Sequence, residues 1–283
     1  MSGPEHDPEI WTSVVKLSKD LRQAAATMSA AEARFLVDNY YAMQRSRVRA
    51  ASQVRSMDTE PHETLEHLST QSEQLENQTK AALAVFVQAH PMGKWLMSIV
   101  GIGPVISAGL LAHIDITKAP TVGHIWAFAG LNPKKVWAKG EKRPHNADLK
   151  TLCWKAGESF VKNSNREGCF YGHLYKQRKE EEIAKNEKGD FAEQAVNILA
   201  TRNYKKSTDA YKAYIMGKLP PAHIHARARR YAVKLFLAHL HEEMYIQKYG
   251  VPPPLPYPIA FLGHAHKIER PSAKPDESTN DTE

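Results

Sequence analysis

Two groups of residues in this chain have the types and spacing to do chemistry, and in both the chemistry is the capture of an anion. The first is Gly101-Ile102-Gly103-Pro104, set between the apolar stretches Leu96–Val100 and Val105–Ile114. Two glycines permit a tight backbone, left-handed or closely approached. Ile102 between them can plug into a core. Pro104 has its φ preset for the first helical position, where a missing N–H costs nothing. A helix-hairpin-helix of this kind turns main-chain N–H groups outward together, where they can hydrogen-bond a phosphate without any side chain. Such a contact positions a protein on a strand and reads no bases. The alternative is a helical corner with no ligand.

The second group is cationic. Lys134, Lys135, Lys139, Lys142, Arg143, Lys150 and Lys155 are opposed only by Glu141 and Asp148, with Trp137, His145 and Trp154 interleaved. Lysines and arginines beside a phosphate backbone gain affinity by releasing counterions. Trp137 falls in a predicted loop and is the candidate for a stacked base. Trp154 has Leu152, Ala156 and Phe160 at helical offsets and reads as core. A further cluster, His225, Arg227, Arg229, Arg230 and Lys234, lies near the start of a predicted helix. Cations are unfavourable there unless an anion is present, which makes Arg227 and Arg230 candidates; the alternative is a solvated helix face.

Other chemistries find little support. There is no Walker loop, no G-x-S-x-G elbow and no dinucleotide fingerprint, so no cofactor is expected. Among the fourteen histidines, His223/His225, His239/His241 and His264/His266 are close pairs, and two residues apart on a helix they point to different faces. His239, His241, Glu242 and Glu243 could include one metal-ligand pair, for example His239 with Glu243, but no full H-E-x-x-H signature exists, and no metal site is expected. Cys153 and Cys169 match no common zinc spacing and read as reduced thiols. No catalytic residue is assigned.

The elements that must hold these groups read as helices throughout. Residues 1–90 form an arm. Ala31–Met57 carries Phe35, Leu36, Tyr40, Met43, Val48 and Val54 at roughly helical spacing, with Ser29 and Glu32 as a capping box. After a break near Pro61, Leu65, Leu68, Leu75, Ala82, Val85 and Phe86 predict a second long helix. The pair is expected to form a helical hairpin or a coiled-coil dimerisation arm, or simply to pack on the rest of the chain. Residues 91–250 form a helical domain containing the glycine turn. It includes helices over Tyr171–Gly189, Phe191–Met216 and Ala222–Tyr249, the first of these with the mixed-charge run of a solvated face. Residues 251–283 begin with the proline-rich VPPPLPYP and end in a segment expected to be disordered. The fold class is therefore all-α. The net charge of +7 favours polyanion partners without bearing on fold. The N-terminus lacks the apolar core of a signal peptide and no run is long enough to span a bilayer, so a cytoplasmic protein with no membrane partner is expected.

Three stretches carry a family resemblance: GIGPVISAGLLAHID, TVGHIWAFAGLNPKK and KGEKRPHNADLKTLCWKAGESFVK. Their order and spacing over Trp95–Lys162 resemble the C-terminal region of IS110/IS116/IS902-type transposases, bacterial or mobile-element proteins. In that family a GIGP hairpin precedes an AGL-x-P turn, here Ala129–Pro133, a basic stretch and a helix. The resemblance implies DNA as partner, with structured RNA used by family members. It also brings two departures. The family's RuvC-like domain supplies four acidic residues, whereas Asp7, Asp20, Asp38 and Asp58 make no evident metal constellation. The family's serine nucleophile follows the AGL-x-P turn, whereas Val136–Lys142 holds no serine, threonine or cysteine. Without such a group that covalent route is missing, unless Ser159 or Ser164 substitutes. The expectation is a DNA-binding protein gripping phosphates at Gly101–Pro104 and along the lysine loop, and a homo-oligomer through its arm. The alternatives are a working transposase or recombinase, and a helical interaction protein that never touches nucleic acid.

Overall fold

The computed structural model describes residues 15–57, 63–132, 137–138, 140–255 and 267–271. Every regular element among them is helical, as the sequence predicts. The expected break at Pro61 and the tail beyond residue 271 lie outside the described residues. The chain divides into two compact units, Met1–Gly93 with Gly103–His113, and Lys94–Ile102 with Ile114–Glu283.

The first unit is built on α1 (Lys19–Ala24), α2 (Ala30–Arg55), α3 (Glu63–Ala89) and α5 (Pro104–His113). The capping box forms as expected: Glu32 N–H donates to Ser29 Oγ at 3.3 Å, and Ser29 N–H donates to Glu32 Oε2 at 2.7 Å. Two orphan donors of the helix start are thereby satisfied. Helices α2 and α3 pack on one another and both pack on α5. The buried contacts are Ala33 and Val37 from α2, and Ala82, Leu83, Phe86 and Val87 from α3. Phe35, Val48, Leu65, Leu68 and Leu75, part of the apolar stripes read from the sequence, are exposed instead. Small alanines at the contact let the helices approach, and the bulkier neighbours fall on the open side. Farther along, Arg47 Nε donates to Glu76 Oε2 at 2.7 Å, and this bond holds the Glu76 carboxyl below its ordinary range against the opposing effect of burial. Helix α5 is apolar nearly all round, with Val105 and Ser107–Ala112 buried, as a helix enclosed by others must be.

The second unit contains α4 (Gly93–Ser98), α6 (Val122–Phe128), α7 (Ala147–Lys162), α8 (Phe170–Lys188), α9 (Ala192–Thr201), α10 (Asp209–Ile215) and α11 (Pro221–Tyr249). Helix α11 is the axis against which α6, α7 and α8 pack. Gly157 makes the close approach of α7 possible: a Cβ there would lie 2.7 Å from Arg229 Cγ and 2.9 Å from Val233 Cγ2 of α11. An aromatic box of Phe160, Tyr171 and Phe236, with Trp95 beside it, forms the core. The segment Phe191–Met216, expected as one helix, is two. Arg202 turns extended after α9, and Thr208 starts α10 afresh by accepting from Tyr211 N–H at 3.3 Å. A separate small core of Phe191, Ala195, Tyr214, Leu219 and Ile224 sits under this bend.

Two buried histidines tie α11 to its surroundings. His239 Nε2 lies 2.8 Å from the Ile268 carbonyl and its Nδ1 lies 2.8 Å from Tyr171 Oη. His241 Nε2 lies 2.8 Å from the Ala119 carbonyl. Burial pushes both imidazoles below their ordinary pKa. Each is therefore neutral, with Nε2–H donating to the carbonyl, and Tyr171 O–H donating to His239 Nδ1. The unfolded chain takes up these protons near pH 6.5 while the folded chain resists, so stability present above that pH drains away as pH falls below it. Urea midpoints at pH 7.5, 6.5 and 5.5 are expected to decline, by up to about 1.4 kcal/mol per pH unit for each such histidine. A flat profile between pH 7.5 and 5.5 contradicts this account.

Candidate nucleic-acid interface

The glycine turn comes first in the chain. Gly101 has φ +97°, a left-handed backbone that favours glycine. Its carbonyl accepts from Ser159 Oγ at 2.5 Å, and Cys169 Sγ approaches the Val100 carbonyl at 3.7 Å. Ile102 is buried, as its place between the glycines predicts. Gly101, Gly103 and Pro104 are half-buried, and a Cβ on Gly103 would meet nothing within 4 Å. Pro104 opens α5 as its first residue, and Gly103 O accepts from Ser107 N–H at 3.0 Å. One face of the turn is thus pinned and the other is open. The preceding helix α4 is only six residues long and belongs to the second unit, whereas α5 belongs to the first.

The basic loop follows. Lys134, Lys135 and Lys139 lie outside the described residues. Trp137 is 46% exposed, and its Nε1–H donates to the Glu141 carbonyl at 2.8 Å. Glu141 Oε2 accepts from Ala138 N–H at 3.3 Å, closing a tight bend that Gly140 completes with φ +93°. The Arg143 guanidinium lies 5.3 Å from the centre of the Trp137 ring, a cation–π arrangement at an exposed site. Lys142, Arg143 and Lys150 are all exposed. His145 sits against Gly130 beside the Lys150 stem. Burial, then the charges of Lys150 and Arg143, hold its pKa below the ordinary value. The His145 ring and the Lys150 stem thus flank the same glycine, while Arg143, two positions before His145, lies over Trp137. Asn146 accepts from Leu149 N–H at 2.8 Å and starts α7 beside them.

The cluster on α11 is divided. Arg227 turns inward: its Nε donates to Glu182 Oε2 at 2.5 Å, its Nη1 donates to Gln194 Oε1 at 3.1 Å, and it lies 4.5 Å from the Phe191 ring centre. Arg229 pairs with Glu158. Arg230 is exposed, with no hydrogen-bond or ion-pair partner among the described residues. Trp154, read from the sequence as core, is 51% exposed and lies under Arg229 at 5.4 Å. The buried stripe of α7 runs through Leu149, Leu152, Cys153, Ala156, Gly157 and Phe160, which leaves Trp154 on the outer side. Sequence reasoning missed this, although that spacing was visible.

Ser159 and Ser164, the distant hydroxyls named above, are held in the fold. Ser159 donates to the Gly101 carbonyl, and Ser164 is 7% exposed. Both imidazole nitrogens of His239 are engaged, and Glu243 pairs with Arg270 at 2.8 Å. Among the described residues no three histidine, cysteine or acidic side chains gather as a metal site would require. No helix among them is long and apolar enough to cross a membrane.

Comparison with known proteins gives one result that bears on this geometry. No curated protein matches the chain, and no solved structure matches it. Residues 93–151, which run from the start of α4 through the glycine turn and the basic loop into α7, match the transposase IS116/IS110/IS902 family.

Proposed function

We infer that the protein binds DNA in transposition, holding the phosphate backbone without reading bases. The observation that carries this reading is the exposed pairing of Arg143 with Trp137, together with the Lys150 stem and His145 against Gly130, within the family-matched segment. Lysine and arginine groups held together at a surface accumulate counterion release, because each neutralised phosphate adds to affinity. In this reading Lys134, Lys135, Lys139 and Lys142 supply further phosphate contacts. The open side at Gly103 and the first N–H groups of α5, which begins at Pro104 and is ten residues long, add main-chain donors; Ile102 N–H is already given to the Ile99 carbonyl and Pro104 has none. Arg230 supplies a further cation, whereas Arg227 is held inward on Glu182 and does not meet the strand. Exposed Phe35, Val48, Leu68 and Leu75 on α2 and α3 favour self-association through the arm, which would double the backbone contacts per assembly. Structured RNA presents the same phosphodiester and belongs in the same titration as a competitor.

The test is fluorescence anisotropy with a duplex over 50–200 mM salt. We expect a steep linear fall of log affinity with log salt. Substituting Lys139, Lys142 and Arg143 together by glutamate should shallow that slope by about 0.9 for each phosphate contact removed, with at least a ~100-fold loss of affinity near 0.1 M salt. Binding that ignores salt, or a triple variant that binds like the parent, overturns the reading.

A further inference from the structure

Away from the turn and the basic loop, the second unit holds a pocket of about 630 Å³ between α6, α11 and the extended segment after it. Its size lies within the usual range for small-molecule sites, roughly 300–1,000 Å³. Three features define what it could take. Trp126, Tyr231 and Pro252–Pro254 line it, so apolar surface is on offer, although Arg178 lies 4.9 Å from the centre of the Tyr231 ring and covers one of its faces. Trp126 is fixed in place because its Nε1–H donates to the Lys234 carbonyl at 3.0 Å. The Lys234 ammonium lies 4.1 Å from the centre of the same ring, half-buried, with no carboxylate partner among the described residues.

That lysine distinguishes the site. The other cations of the lining are spoken for: Arg178 pairs with Glu181 and Glu182, and Lys267 pairs with Glu242 and Glu269. Burial lowers the Lys234 pKa, and no neighbouring charge offsets it. A half-buried ammonium held over an indole without a counter-ion is a strained arrangement that an incoming anion relieves. We propose that this pocket binds a nucleotide, its base against Trp126 and Pro252–Pro254 and its phosphate on Lys234. The same chemistry comes from two sources, a free nucleoside monophosphate or an unpaired nucleotide of a bound strand. The second source rests on the nucleic-acid reading above; the first does not.

The experiment uses the full chain and the variants Lys234→Met and Lys234→Arg. Uridine and adenosine 5′-monophosphates and the corresponding nucleosides are titrated by calorimetry. A labelled fifteen-nucleotide single strand and its duplex are followed by anisotropy. We expect Lys234→Met to weaken the monophosphates or the single strand at least ~10-fold, as loss of a charge-assisted bond requires. Nucleosides and duplex should be unaffected, and Lys234→Arg should retain binding. A response with monophosphates identifies a free nucleotide, and a response with the single strand alone identifies a strand. Thermal unfolding of Lys234→Met checks the fold, and removing a half-buried charge should not lower its midpoint. The proposal falls if Lys234→Met binds every probe as the parent does, or if neither monophosphate nor single strand binds. Duplex binding that is lost on reversing the loop charges, with monophosphate and single-strand binding both absent or unchanged in Lys234→Met, sinks the pocket alone. A duplex that never binds, with monophosphates that do, sinks the DNA reading alone.

Discussion

Phe236→Ala should cost about 3–5 kcal/mol, the usual price of emptying a phenylalanine site in a closed core. Phe236 on α11 is 0% exposed. Its ring stacks on Trp95 at 6.2 Å and meets Phe160 and Tyr171 edge-on at 5.4 Å and 5.2 Å. Those partners come from α4, α7 and α8, so one ring bonds four helices of the second unit, and few neighbours can move to fill the void. Domains are stable by only about 5–15 kcal/mol, so the loss takes a large part of the total. Urea unfolding followed by near-ultraviolet circular dichroism is the measurement, with Phe236→Leu as the milder control below about 1.5 kcal/mol. A loss under 1 kcal/mol for Phe236→Ala would show that the aromatic box is not the centre of this unit.

Glu182→Ala should be nearly as severe, for an electrostatic reason. The Glu182 carboxylate on α8 is 1% exposed and lies between Arg227 Nε at 2.5 Å and Arg178 Nη2 at 2.6 Å. Burial alone would raise its pKa, but the hydrogen bond and charge of Arg227, joined by Arg178, hold it below the ordinary 4.5. Removing the carboxylate leaves two guanidiniums facing one another beside α11. Deleting one partner of a buried pair typically costs 3–5 kcal/mol. Both arginines keep about a quarter of their surface in water, at 25% and 27%, so about 3 kcal/mol is expected. The acid limb supplies an independent check. A carboxyl with a depressed folded pKa stabilises at neutral pH, and that stabilisation is lost as pH drops below 4.5 through the folded value. Glu182→Ala should therefore flatten the stability profile below pH 4.5, and an unchanged acid limb would contradict the assignment.

What the sequence made legible was governed by neighbours along the chain. The capping box at Ser29 and Glu32, the start of α5 at Pro104 and the end of α8 at Gly189 with φ +87° obey local rules, and each appears where those rules put it. The exposure of Trp137, Lys142 and Arg143 follows equally from a polar, glycine-containing loop, and that of Lys150 from its place off the buried stripe of α7. Features set by distant partners were not legible. Helical spacing could not say that Ala33 and Val37 would face α3 while Phe35 faced water. Nor could it say that Arg227 would reach inward to Glu182, forty-five positions away, while Arg230 stayed free. The division of Phe191–Met216 escaped for a different reason: no proline marks it, and a threonine cap within a helical pattern is easily read through. The Lys234–Trp126 pairing, separated by more than a hundred residues, leaves no trace in any window.

Neither unit is a continuous stretch of polypeptide, because Gly103–His113 completes the first while Lys94–Ile102 completes the second. During synthesis the hairpin of α2 and α3 leaves the ribosome before the helix that packs on both has been made, and its apolar inner side must wait for α5. No single cut between residues 89 and 114 can separate the halves cleanly: cleavage before Lys94 strips α5 from the first half, and cleavage after His113 leaves α4 behind with the wrong piece.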